Sequence, residues 1–321
     1  MTVLRADMHV HTCYSRVSDH LGFLGARDCY SRPEAVYAVA KARGMDLVAI
    51  TDHDTIDGAL ALAERMPSAR DIIVGEEVSS WLPDGGLQVH LGVYGMTESL
   101  HHELQPLRRN VFELVARLRE ASVFFALNHL LHFYERRVPF EAYLRLLEVV
   151  PALEVRNGTM MPAHNRLSEQ IAAAWTPGGR GPRLASVAGS DAHTLRRVGT
   201  TWTEAPGRNR DEFLSSVRSG LGRPGGRVGG ALAASADAYG VIRGYIASLA
   251  GLEPPDQSGW HRAACLGFAV ASLPFQFLPL AIASKGKLHE RQKVRALESW
   301  MTAGVGWAGS RTSVGAVQAQ R

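Results

Sequence analysis

Cysteine is scarce in this sequence. The 321 residues contain three, Cys13, Cys29 and Cys265, an odd number with no Cys-x-x-Cys pair. That excludes a disulfide framework and a thiolate zinc site, and makes a reducing cytoplasm the natural setting. A strong charge imbalance is also lacking: 35 Lys and Arg against 31 Asp and Glu leave a formal net charge of +4. Most of that excess falls late in the chain, so it says little about the first two-thirds. The N-terminus lacks a long apolar core, and Arg5 and Asp7 interrupt it, so no signal peptide is expected. Hydrophobic residues make up 46%, an ordinary fraction for a folded protein. The length suits one large domain with an appendage, or two domains.

What the sequence does have begins at Asp7-Met8-His9-Val10-His11, at the end of a short apolar run that reads as a first strand. Strand alternation puts Asp7, His9 and His11 on one face and Met8 and Val10 on the other. Neutral imidazole is the commonest protein ligand for Zn²⁺ and similar ions, so this stretch raises a metal site as the first hypothesis. Six further apolar runs read as strands: 46–50, 72–74, 87–94, 123–127, 152–155 and 184–188. Helical patterns fall between most of them, at 33–44, 56–64, 104–121, 140–150 and 164–175. About seven strands alternating with helices predict a parallel sheet, open or closed as a barrel.

Nearly every strand ends in His, Asp or Glu. The active site of a parallel α/β barrel lies on that face, where the strand-to-helix loops converge. The pooled candidates are His9, His11, His53, Glu77, His90, His129, Asp191 and His193. Taken singly, each has an ordinary reading: a cap neighbour for His53, a core histidine for His90, a loop charge for Glu76 or Glu77. Taken together they would crowd one end of one barrel, at a desolvation cost that metal ions would remove. His101 and His102 read as surface loop residues.

In order, the motifs are Asp-x-His-x-His-Thr (7–12), Thr-Asp-His-Asp-Thr (51–55), Gly-x-Glu-Val-Ser (75–79), His90, His129 and Gly-Ser-Asp-Ala-His (189–193). This series resembles the PHP (polymerase and histidinol phosphatase) family across roughly residues 1–225. The resemblance implies a distorted (β/α)₇ barrel that holds two or three divalent ions, Zn, Mn or Fe, and hydrolyses phosphoesters through a hydroxide bridging the ions. It implies one ion on His9, His11, Glu77 and Asp191, and a second on Glu77, His90 and His129. A third would use His53, His193 and a residue of the loop after His11. Glu77 is preferred to Glu76 because it sits two before Ser79, and alternation points the two to opposite faces. Asp191 and His193 are expected at the chemistry, and Arg156 as a phosphate-binding cation, with Arg197 and His164 as further candidates. The sequence departs from the family in two places. After Ser15 the nearest acid is Asp19, beside His20, so the third position falls to one of these. Asn128-His129-Leu130 stands where the family often has Ala-His-Pro.

After Gly225 the character changes. Residues 222–230 are Gly-rich and read as a linker to a mostly helical extension, 226–321. Ala231 to Leu252 reads as helical, and the tail from Gly304 as poorly ordered. The stretch 263–284 carries no charge and is long enough to cross a bilayer, although Pro274, Gln276 and Pro279 oppose a simple span. Lys285, Lys287, Arg291, Lys293 and Arg295 follow it, as at the cytoplasmic edge of a membrane segment. The alternative is a helical hairpin buried on the barrel or on a second subunit.

The expectation is therefore a cytoplasmic phosphatase or phosphodiesterase acting on a small phosphorylated substrate, nucleotides among the candidates, with 263–284 a candidate for association with the inner face of a membrane. The alternatives are a regulatory, non-catalytic barrel at the membrane and a metal-dependent hydrolase of a non-phosphate substrate.

Overall fold

In the computed structural model, alternation along the strands sorts the core. The structure describes residues 2–15, 25–83, 87–131, 140–176, 183–251, 259–271, 274 and 277–302. The elements run β1 (Val3–Asp7), α1 (Pro33–Ala42), β2 (Leu47–Ile50), α2 (Asp57–Arg65), β3 (Ile72–Trp81), β4 (Gln88–Tyr94), α3 (Glu98–Leu104), α4 (Val111–Glu120), β5 (Phe124–Leu127) and α5 (Phe140–Val149). They continue as β6 (Ala152–Asn157), α6 (Pro162–Ala174), β7 (Ala185–Gly189), β8 (Thr201–Pro206), α7 (Arg210–Ser216), β9 (Arg223–Gly226), α8 (Ala231–Leu249), α9 (Gly259–Ala271) and α10 (Leu278–Thr302).

One sheet holds nine strands in the order β7-β6-β5-β4-β3-β2-β1-β8-β9. It curls until its two halves nearly meet. Val10 bridges Ala192 beyond the ends of β1 and β7, and the Ala188 amide donates to Thr203 Oγ1 on β8 at 2.7 Å. The result is a distorted barrel with helices outside.

The interior floor is a cluster fed by eight strands: Ala6, Leu47, Ala49, Ile73, Tyr94, Phe124, Ala126, Ala152, Ala185, Val187 and Ala205. Six of these are alanines, which let the strands close around a narrow space. Continuing the same parity along the strands carries Ile73 to Glu77, Tyr94 to His90 and Ala152 to Glu154, so polar side chains form the next layer above an apolar floor. The opposite parity of β4 (Val89, Leu91, Val93) packs outward against α4 and α5 through Leu114, Leu118, Tyr143 and Leu146.

Several expectations need correcting. The sheet is mixed, since β4 runs antiparallel to both β3 and β5, and β8 antiparallel to β1. The linker of 222–230 contains β9, an edge strand paired with β8. The helix expected over 104–121 is broken at a 3₁₀ turn, Gln105–Arg109, because Pro106 cannot donate an amide and Asn110 caps α4 by accepting from the Phe112 amide. His101 and His102 lie on α3 rather than in a loop.

The extension is not a free appendage among the described residues. Val294 and Leu297 of α10 join the main core cluster with Leu167 and Ile171 of α6. Glu290 accepts from the Met161 amide at 2.6 Å, and Lys287 donates to the Thr159 carbonyl at 2.7 Å. No helix among the described residues is long and apolar enough to cross a membrane.

Candidate metal centre

Strand β3 places Glu77 at the middle of the polar layer. Its side chain is fully buried. Oε2 lies 3.2 Å from His9 Nε2, 3.4 Å from His11 Nε2 and 3.1 Å from His53 Nδ1. Oε1 lies 2.9 Å from His129 Nε2 and 3.3 Å from His90 Nδ1, and it accepts from Asn128 Nδ2 at 2.9 Å. One carboxylate thus faces five imidazoles, three on one oxygen and two on the other. Glu76 points away and accepts from His101 Nδ1 at 2.7 Å. Alternation on one strand separates the two acids as expected.

His9 and His11 follow β1, which ends at Asp7. The expectation that Asp7 shares their face fails for that reason. Asp7 instead accepts from the Ser190 and Gly199 amides, both at 2.7 Å, and ties the end of β7 and the 193–200 loop to β1. Gly189 is needed there, because a Cβ at that position would collide with the Cβ of His9. Asp191 Oδ1 lies 3.6 Å from His9 Nε2 and 3.4 Å from His11 Nε2. Its other oxygen accepts from Asn157 Nδ2 at 3.2 Å and Thr159 Oγ1 at 2.9 Å. The His193 and His53 rings both stack on His11, at 4.2 Å and 4.4 Å, and lie 5.9 Å from each other. Two of the ligand candidates, His129 (φ 23°) and Asp191 (φ 51°), adopt positive φ. Such backbone conformations persist where the surroundings fix them, often at functional sites.

The supporting residues were not apparent in the sequence. Glu154 Oε1 accepts from His9 Nδ1 at 2.9 Å. Its Oε2 accepts from the His129 amide and from Asn157 Nδ2, each at 2.9 Å. A bulge between Glu154 and Arg156 lets Glu154 and Asn157 face the same side despite their odd spacing. On the other flank, His11 Nδ1 donates to Ser15 Oγ at 3.2 Å, and that hydroxyl donates to Asp52 Oδ1 at 3.0 Å. Both contacts place the imidazole proton on Nδ1 and leave Nε2 as a lone-pair donor, the usual device for orienting a metal-binding histidine. A Glu within the apolar run Ala-Leu-Glu-Val was the one available signal for Glu154.

Cations fit this set. His9 Nε2 and His11 Nε2 lie 3.1 Å apart. With both lone pairs turned inward, the contact is repulsive unless a positive charge is shared. Glu77 Oε2 and His90 Nδ1 are buried without a hydrogen-bond partner. Among the described residues, four overlapping triads keep their donor atoms within 4.8 Å: His9/His11/Glu77, His9/His129/Asp191, His53/Glu77/His90 and His11/His53/His193. Imidazole and carboxylate donors suit Zn²⁺, Mn²⁺ and Fe²⁺ alike.

Electrostatics agree. Burial opposes charge on Glu77 and Asp191, yet the surrounding histidines hold both well below the ordinary carboxylate range. Burial also opposes protonation of His9 and His129, but Glu77, Asp191 and Glu154 outweigh it and raise both. His11 is pushed down to about 4 and His53 well below its ordinary value, by burial and by neighbouring histidines. The acids thus favour positive charge at His9 and His129, as they would favour a bound cation.

All eight pooled candidates therefore meet in one cluster. Asp19 and His20 lie outside the described residues. Arg156 does not meet the cluster: it is held by Glu169 of α6 at 2.7 Å and by the Pro224 carbonyl. Arg197 pairs with Asp237 of α8 at 3.2 Å. His164 is buried, and burial lowers it to about 4, so it supplies no cation.

The family described as PHP-associated matches residues 162–221, from α6 through the turn after α7. An uncharacterized protein of Methanocaldococcus jannaschii is 33% identical over 76 residues, 23% of this chain and 44% of that protein. The matched part thus spans less than half of that relative. Among solved structures, a two-domain Bacteroides vulgatus protein named for a PHP-like metal-dependent phosphoesterase is 16% identical, with TM-score 0.48 over 70% of this chain and 65% of that one. A lesion-specific endonuclease of Pyrococcus furiosus is 15% identical, with TM-score 0.44 over 70% and 58%.

Proposed function

We propose, from its place in the PHP (polymerase and histidinol phosphatase) domain family, that this chain is a metal-dependent hydrolase that cleaves phosphoesters. The family assignment rests on the PHP-associated match at residues 162–221 and on the ordered motifs that build the cluster. The observation that carries the functional reading is Glu77, a buried carboxylate whose two oxygens face separate sets of imidazoles. That arrangement suits a carboxylate shared between neighbouring cations.

Divalent ions held there would acidify water and offset charge on a phosphoryl group. The chain's own residues prepare that chemistry. Glu154 and Ser15 fix the tautomers of His9 and His11. Asn157 and Thr159 orient Asp191. His53, His90 and His193 keep 18–25% of their side-chain surface exposed, whereas His9 and His11 are closed off, so substrate approaches from the side of the first three. Arg156 and Arg197 are occupied by acids, so neither is proposed to bind the phosphate. The proposed substrates are small phosphorylated molecules, nucleotides among them.

A panel of aryl phosphate monoesters and diesters tests this reading. Hydrolysis should require Mn²⁺ or Zn²⁺, stop with chelator and be lost in Glu77→Gln. Inorganic phosphate should compete. Full metal loading with no turnover on either ester class would sink the proposal.

A further inference from the structure

Helices α9 and α10 and the residue before α10 expose large apolar side chains among the described residues. Trp260 is 84% exposed, Ile282 68% and Val270 65%, with Phe268, Phe277 and Leu288 each more than half exposed. On α9 the exposed positions 260, 263, 264, 267, 268, 270 and 271 are all apolar or glycine, and all but 270 follow helical spacing. Both helices pack on α8, and monomeric proteins rarely leave so many large apolar side chains in water.

The orientation of α10 is fixed by its other face. Glu290, Lys293, Val294 and Leu297 are buried, and Val294 and Leu297 sit in the main core. Lys285, Leu288, Arg291 and Arg295 are thereby turned outward. The only acid between 259 and 297 is Glu290, consumed by the Met161 amide and Lys287. Along α10 itself, exposed Ile282 and Leu288 thus alternate with exposed Lys285, Arg291 and Arg295, and Glu298 near its C-terminal end is the one exposed acid of the helix.

We propose that α9 and α10 dock this protein on an anionic lipid bilayer. The apolar side chains enter the headgroup and upper acyl region, and Lys285, Arg291 and Arg295 meet the lipid phosphates. The charge pattern selects this occupant over a second copy of the chain, which would oppose the same three cations to each other at a two-fold contact. No described helix is both long and apolar enough to span, so the proposed association is with one interface.

Co-sedimentation of the full chain with lipid vesicles tests the proposal. Vesicles of phosphatidylcholine with phosphatidylglycerol should bind the protein, and phosphatidylcholine alone should bind it at least about tenfold more weakly. Binding should fall with added salt. Lys285→Glu with Arg291→Glu should weaken it on the order of tenfold or more, and Phe268→Asp with Ile282→Asp should abolish it. Unchanged thermal melting and metal content would show that these exposed substitutions leave the barrel intact. Absence of binding to anionic vesicles overturns the proposal. So does a dimer, seen by sedimentation velocity, that the Phe268→Asp and Ile282→Asp pair dissolves while vesicle binding persists.

Discussion

Replacing Glu154 by Gln keeps the volume of the side chain and changes only charge and hydrogen-bond polarity. In the native site one oxygen accepts from His9 Nδ1 and the other accepts from two donors, the His129 amide and Asn157 Nδ2. Glutamine offers one oxygen and one NH₂ group. The oxygen is better placed toward the two donors, which turns the NH₂ toward His9 Nδ1. His9 then accepts at Nδ1 and carries its proton on Nε2, the nitrogen that faces Glu77, His11 and Asp191. Its lone pair is lost to a cation. The reverse flip leaves the donors of His129 and Asn157 facing an NH₂ group in a buried site. Orienting partners of this kind are typically worth about 10–100-fold in metal affinity. Loss of a charge-assisted contact should lower folding stability by about 1.5–3 kcal/mol. Chelator-competition titration of Zn²⁺ and Mn²⁺, alongside a urea melt of the cation-free protein, reads both quantities. A Glu154→Gln variant whose metal affinity stays within about twofold of the parent would refute the tautomer argument.

Three further outcomes follow from other parts of the molecule. Arg108→Met removes the guanidinium 2.5 Å from Oδ2 of buried Asp54, whose Oδ1 also accepts from the Ser79 amide; unfolding titrations should register a loss of about 3–5 kcal/mol, and a loss under about 1 kcal/mol would mean that the ion pair contributes little. Gly189→Ala drives a Cβ into that of His9; it should destabilise by about 1–3 kcal/mol or more and weaken metal uptake, and an unchanged melt with full metal content would refute the close packing of β7 on β1. Protons on His9 and His129, both raised above 6.5 in the cation-free site, must leave before metal binds. Metal affinity should therefore rise with pH from below the ordinary imidazole range through neutrality, with proton release visible as a buffer-dependent heat in calorimetry; uptake with no proton release at neutral pH would contradict it.

Much of the site was legible because its residues obey simple rules. His53, His90, His129, Asp191 and His193 lie on strands or just past their ends, and Glu77 was chosen over Glu76 by its place two before Ser79, with alternation separating their faces. Glu154 shares the parity of Ala152 but was passed over inside an apolar run, and Asn157 was not legible, because the bulge after Glu154 changes which later residues of β6 face inward and leaves no mark in residue type. Arg156 was misplaced for the same reason, since it follows the bulge and turns to Glu169. Asp7 was grouped with His9 and His11 on the assumption that β1 continues, whereas it stops at Asp7. In the fold, β8 and β9 were missed as strands because Thr201 onward lacks a long apolar run and β9 is built from Arg-Pro-Gly-Gly. The break in the helix expected over 104–121 was carried by Pro106 and Asn110, both visible in the sequence.

The central claim is that the histidines and acids around Glu77 form a centre for more than one divalent ion. Crystals grown with Mn²⁺ and measured for anomalous scattering test it most directly. The account predicts at least two peaks within the ring of His9, His11, His53, His90, His129, Asp191 and His193, both in contact with Glu77. No peak inside that ring, or peaks only elsewhere on the molecule, would contradict it.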